Sequence, residues 1–145
     1  MERVYHIPEQ KETFVYHTTL VKNMKVLVAT EKPFAKVAVD GIREVLEQAG
    51  YQLVMLEKYS AKNQLLDAVA DVDALIIRSD NVDDEVLNAA KNLKIVVRAG
   101  AGFDNVDLAA ATAHNVVVMN TPGQNSNAVA ELALGMMVYM ARNQF

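Results

Sequence analysis

Between Lys25 and Met119 five short runs of aliphatic and β-branched residues alternate with stretches of helical pattern. The runs are KVLVAT (25–30), QLVML (52–56), ALIIR (74–78), KIVVR (94–98) and VVVM (116–119). Between them lie FAKVAVDGIREVLEQA (34–49), NQLLDAVAD (63–71), DDEVLNAAKNL (83–93) and DLAAATAH (107–114). Strands joined through helices must run parallel, because a hairpin turn cannot return the chain to the same end of a sheet. The runs are apolar at nearly every position rather than at every second one, the pattern expected where helices cover both faces.

The punctuation agrees with this reading. In the first helix Val37, Ile42, Val45, Leu46 and Ala49 form one stripe, and Gly50 is placed to end it in a left-handed conformation. Asp83 or Asp84, and Asn105 or Asp107, offer caps to the third and fourth helices, and Asn115 a terminator after His114. The expected architecture is α/β, a flavodoxin-like doubly wound parallel five-stranded sheet of order 2-1-3-4-5, although spacing alone does not fix the order. Residues 1–23 show no sustained period and read as a loosely ordered extension.

Composition narrows the function classes. A length of 145 residues allows one domain with its own core, and a net charge of -4 without a Lys/Arg cluster gives no field for nucleic acid. There is no cysteine, which suits a reducing cytoplasm and leaves His6, His17 and His114 without thiol partners for a metal. The longest apolar window, Ala128–Ala141, is too short for a bilayer and carries Glu131 and Gly135.

In an open parallel sheet ligands gather beyond the carboxyl ends of the strands, near the point where strand order reverses. Three polar clusters belong to that edge: Arg78-Ser79-Asp80, Arg98 to Gly102, and Asn120 to Ser126. Around Gly100, Ala101 and Gly102 successive amides could form a concave anion site, or the glycines could serve only a tight turn. A dinucleotide fingerprint is excluded, since Asn105 replaces the third glycine and Asp104 and Asp107 set negative charge where a pyrophosphate would dock. Arg78, closing an apolar strand, either reaches a carboxylate or phosphate ligand or pairs with Asp80 or Asp73. Arg98 is the weaker candidate of the two arginines. Ser79 is either a ligand contact or an exposed turn serine. His114 reads as a surface residue at a helix end, and Glu44, Glu47 and Glu85 as solvated charges.

From Ser126, a good N-cap residue, to Arg142 the last helix is apolar almost all round: Val129, Leu132, Leu134, Met136, Met137, Val138, Tyr139 and Met140 do not keep to one stripe. A helix of this kind is normally buried on several sides, so it is expected to self-associate or to pack on a surface outside this chain.

The IxRS, RAGxGxDNVDL and VMNTPxxNSxxxAE motifs together resemble the NAD-dependent D-2-hydroxyacid dehydrogenases, and within them the phosphoglycerate type. The resemblance implies a substrate-binding domain at 24–124, followed at 125–145 by an interdomain helix that would enter a Rossmann domain absent from this chain. It implies Arg78, Ser79, Gly100, Ala101 and Gly102 as substrate contacts and Ala101 and Asn125 as cofactor contacts. No catalytic residue is implied here, so the chain alone should be inactive and hold no NAD tightly. The implied reaction of the complete enzyme is hydride transfer between NAD and a D-2-hydroxyacid, with 3-phospho-D-glycerate of serine biosynthesis first and glyoxylate or hydroxypyruvate reduction next. Some relatives carry a basic residue where this chain has Asp80, a departure that weighs against phosphate recognition. A non-catalytic flavodoxin-like binding module is the alternative from another class; its receiver version is disfavoured by Arg78 at the end of the third strand.

Overall fold

The structure is a computed structural model and describes residues 24–142; the expected extension at 1–23 and the last three residues lie outside that range. Five strands, β1 (Lys25–Thr30), β2 (Gln52–Glu57), β3 (Ala74–Ile77), β4 (Ile95–Arg98) and β5 (Val117–Asn120), form one all-parallel sheet in the order β2-β1-β3-β4-β5. They are separated by α1 (Lys36–Gln48), α2 (Lys62–Val69), α3 (Asp84–Ala89) and α4 (Leu108–Ala113), and followed by α5 (Ser126–Ala141). Strand order and class agree with the sequence expectation. The reversal of direction lies between β1 and β3.

Register explains where the core sits. Leu27 of β1 stands beside Val54 and Leu75, Leu75 beside Val96, and Val96 beside Val118, so these side chains form a row across one face. Leu65 and Val69 of α2, Val86 and Leu87 of α3 and Ala111 of α4 close over that row. Leu27, Leu75 and Val96 are fully buried, each contributing about 1.5–3 kcal/mol of apolar transfer. Two aspartates set the helix starts: Asp83 accepts from the Val86 N–H at 3.2 Å and Asp107 from the Ala110 N–H at 2.9 Å. Gly50 (φ 73°) ends α1, and Asn115 (φ 56°) follows the α4 terminus, both left-handed as their residue types permit.

The other face corrects two expectations. Among the described residues only α1 lies against it, bordering a groove with Ile76 through Ala38, Ile42 and Leu46. Toward β5 the face is open, with Met119 53% exposed, so the apolar runs are not covered on both sides by the described residues. Within the α1 stripe, Ile42 and Leu46 are half-buried, whereas Val45 and Ala49 turn to solvent and Val37 is 84% exposed. The helix touches the sheet along a narrower line than its apolar stripe. α5 buries no residue against the rest of the described chain. Its cap position is Asn125, whose side chain makes no capping bond; Ser126 is already the first helical residue. No helix among the described residues is long and apolar enough to cross a membrane.

Candidate functional site

The carboxyl ends of β3, β4 and the β5–α5 connection enclose a cleft of about 470 Å³. Arg78 and Ser79 supply one wall, Arg98, Ala99 and Gly100 the floor, and Thr121, Gln124 and Asn125 the other wall. Of the residues expected from sequence, Arg78, Ser79, Gly100 and Asn125 share this cleft; Ala101 and Gly102 sit on the same loop, just outside its lining. Arg98, ranked second by sequence reasoning, and Thr121 and Gln124, which that reasoning left unassigned, complete it. Register was the available signal for Arg98: it ends β4 opposite Asn120 and beside Ile77, the residue before Arg78.

The cleft carries several donors that no acceptor among the described residues satisfies. Neither arginine has a carboxylate partner among the described residues. The Arg98 Nε is buried with no hydrogen-bond partner among the described residues, so an acceptor that reached it would relieve a desolvation cost. The Ala101 and Gly102 N–H groups have no bonding partner among the described residues. α5 begins at the cleft with no side-chain cap, so its positive end adds to the same field. A planar guanidinium pair beside free amides suits a carboxylate or phosphate.

Gly100 owes its place to space. It is absent from the residues of positive φ, but a Cβ there would stand 1.6 Å from Arg98 Nη1, so the guanidinium folds across the bare backbone. Its N–H also donates to the Arg98 carbonyl at 2.9 Å, a tight turn, so the glycine serves the turn and leaves room for the guanidinium.

The ion pairs offered as alternatives for Arg78 do not form. Asp73 lies at the opposite end of β3, where it accepts from the Lys25 N–H at 3.1 Å. Asp80 is 4% exposed and turned the other way. Its carboxylate accepts from the Tyr59 hydroxyl at 2.6 Å and the Glu31 N–H at 2.9 Å, bridging the crevice between β1 and β3. Its carbonyl accepts from Asn105 Nδ2 at 2.7 Å. Burial first, and then the hydrogen bond and charge of Asp80, hold the Tyr59 phenol above its ordinary pKa. Internal bonds therefore span the strand reversal, where Glu31 and Tyr59 border a smaller cleft of about 330 Å³, and the arginine-lined cleft lies one strand further on. Outside it, His114 closes α4 with Nε2 3.2 Å from Asp84 Oδ1, an exposed contact between helices.

Comparison with known proteins fits this geometry. The profile of the D-isomer specific 2-hydroxyacid dehydrogenase catalytic domain matches residues 26–141. The chain belongs to that family. As a D-2-hydroxyacid dehydrogenase family member it is 48% identical over 101 residues to D-3-phosphoglycerate dehydrogenase of Sus scrofa, covering 69% of this chain and 19% of that protein. It is 42% identical over 120 residues to the enzyme of the same name from Archaeoglobus fulgidus, covering 82% and 21%. Among solved structures, NAD+-bound 3-phosphoglycerate dehydrogenase of Entamoeba histolytica superposes with a TM-score of 0.78 at 54% identity, covering 81% of this chain and 39% of that one. The chain thus spans about a fifth of the length of these curated relatives.

Proposed function

We propose that the chain is the hydroxyacid-binding portion of an NAD-linked D-2-hydroxyacid dehydrogenase, with 3-phospho-D-glycerate, the serine-biosynthesis substrate, as its ligand. The observation that carries this is the pair of unpaired arginines, Arg78 and Arg98, in one cleft with an uncapped helix start. In this reading Arg78 and Ser79 grip one end of the anion, Arg98 lies under it across Gly100, and the Ala101 and Gly102 amides take a carboxylate. Asp80 turns its carboxylate to Tyr59 and Glu31 rather than into the cleft, but those donors are neutral, so its charge beside the Arg78 N–H still counts against a phosphate there. What supports the phosphorylated acid over glyoxylate or hydroxypyruvate is the higher identity to D-3-phosphoglycerate dehydrogenases. Support for the latter pair is the 40% identity over 93 residues to hydroxypyruvate reductase of Thermotoga maritima.

Asn125 and Ala101 are the positions assigned to the nicotinamide side. NAD, when bound, supplies the hydride acceptor; the residues here bind and orient the acid. The cleft contains no histidine or carboxylate, so the group that moves the hydroxyl proton belongs to polypeptide beyond these residues. In the same reading residues 24–124 form the substrate domain and 125–145 lead into a nucleotide-binding domain, against which α5 or a second copy of it would bury its apolar surface.

Calorimetric titration of the purified chain decides the substrate reading. Binding of 3-phospho-D-glycerate should exceed that of D-glycerate and glyoxylate, weaken with salt, and fall at least tenfold in Arg78→Gln, the scale of one charge-assisted hydrogen bond. Equal binding by R78Q, or none of the three acids bound, would remove the proposal. Sedimentation of the same sample over a concentration series reads self-association through α5.

A further inference from the structure

The loop after β4 is held in a conformation that needs explaining, because two successive carbonyls point the same way. Gly100 O accepts from the Thr121 N–H at 2.9 Å, and Ala101 O accepts from Asn120 Nδ2 at 2.7 Å. In an extended strand consecutive carbonyls alternate sides, so the chain has left strand geometry here. Both bonds draw their carbonyls toward the end of β5.

No peptide bond is cis among the described residues, and in a trans peptide the N–H points opposite to the carbonyl. The unit that carries Gly100 O also carries the Ala101 N–H, and the unit that carries Ala101 O carries the Gly102 N–H. Drawing both carbonyls toward β5 therefore turns both amides away from it. β4 lies between β5 and β3, and the β3 end carries Arg78 and Ser79. The two N–H groups are those left without a bonding partner.

We infer that Asn120 is a positioning residue: its side chain, by holding the Ala101 carbonyl, aims the Ala101 and Gly102 amides at the anion side of the cleft. Asn120 does not itself line the cleft and acts through the loop alone. The Thr121 contribution is main chain and survives any substitution, so Asn120 is the removable half of the clamp. An alanine frees the Ala101–Gly102 peptide to rotate, and an aspartate of the same volume presents an acceptor to an acceptor. The inference rests on reading the cleft as a carboxylate site, and its test separates the two.

The test uses the full chain, labelled with nitrogen-15, with D-glycerate as the carboxylate probe. Without ligand, Asn120→Ala and Asn120→Asp are both expected to lower the order parameters of the Ala101 and Gly102 amides while the thermal midpoint holds. With D-glycerate, N120A is expected to bind about three- to tenfold more weakly, the factor of one neutral hydrogen bond. If the unsubstituted chain binds D-glycerate and N120A binds it equally well, the assignment is overturned and the carboxylate reading stands. If the unsubstituted chain binds none, the carboxylate reading falls, and the ligand-free amides decide alone: lowered order in both variants sustains the positioning role, and unchanged order overturns it.

Discussion

The carboxyl edge of the sheet has two halves that solve opposite problems with the same kinds of residue. Over β1, β2 and β3 a buried carboxylate finds a donor for each oxygen it presents: Tyr59 and Glu31 on one, the Arg78 N–H at 3.4 Å on the other. Over β3, β4 and β5 two arginines have no carboxylate partner among the described residues, and the Arg98 Nε is buried with no hydrogen-bond partner there. In the first half, the closed one, the carboxylate oxygens are matched by donors within the fold; in the second, the open one, the arginines have no carboxylate match among the described residues. A sheet edge of uniform polarity in sequence thus divides into a part that holds strands together and a part that waits for an anion.

Breaking the closed half should give the largest effect. Asp80→Ala strips a buried phenol and a main-chain N–H of their acceptor, and is expected to lower unfolding free energy by about 3 kcal/mol, since bonds to charged groups contribute about 1.5–3 kcal/mol each. Urea unfolding of D80A measures it; a loss below about 1 kcal/mol would mean that the Asp80 bridge is incidental. Breaking the open half should do the reverse. Arg98→Gln removes a half-buried charge that no carboxylate among the described residues pairs, so stability should hold, while affinity for 3-phospho-D-glycerate falls tenfold or more. A destabilised R98Q would show that the two halves are not distinct.

Gly100→Ala sharpens the contrast inside the open half. Its Cβ occupies the place of Arg98 Nη1, and the guanidinium, being the end of a flexible side chain, can swing aside. The expected result is an intact fold and about tenfold weaker binding of the same acid, the cost of misplacing one charged donor. Binding at the unsubstituted level would mean that the folded-back position of Arg98 is not the one used.

Much of this organisation was legible in the sequence, and the parts that were not share a cause. Alternating strands and helices declared a parallel sheet, and Gly50, Asp83, Asp107 and Asn115 marked boundaries through local backbone chemistry that needs no partner. The family motifs brought Arg78, Ser79, Gly100 and Asn125 to attention, and the cleft unites these four. What failed was pairing by proximity along the chain. Asp80 follows Arg78 by two residues and invites an ion pair, yet its hydroxyl partner Tyr59 comes from the end of β2, across the strand reversal. The α1 stripe failed for a similar reason: periodicity names an apolar face, and where the helix meets the sheet decides how much of it, Ile42 and Leu46 but not Val37, finds a surface.

Alkaline titration probes the closed half without a substitution. The folded pKa of Tyr59 is raised above its unfolded value, so the phenol contributes stability that is fully present below about pH 10 and is lost as pH rises through the folded pKa. Denaturant midpoints followed upward from pH 9 should therefore fall, and Tyr59→Phe should flatten the Tyr59 part of that slope. An unchanged slope in Y59F would place the alkaline loss elsewhere.

The smallest effect belongs to the rim of the closed half, where Lys62 bridges Asp83, at 2.6 Å, and Glu85. The Lys62 hydrogen bond is the main cause of a lowered Asp83 pKa; burial opposes it, and the Val86 N–H that Asp83 caps adds to it. A depressed carboxylate contributes stability that is present above its unfolded pKa, near 3.8, and lost as pH falls through the folded one. Both side chains are well exposed, so solvent and salt screen most of the gain. Asp83→Asn separates the charge from the cap, because asparagine caps a helix about as well as aspartate. Stability of D83N should match the parent in high salt and trail it only slightly in low salt at neutral pH. A large deficit that persists in high salt would shift the role of Asp83 from its charge to its cap geometry, and would make this rim part of the folding scaffold that Asp80 anchors.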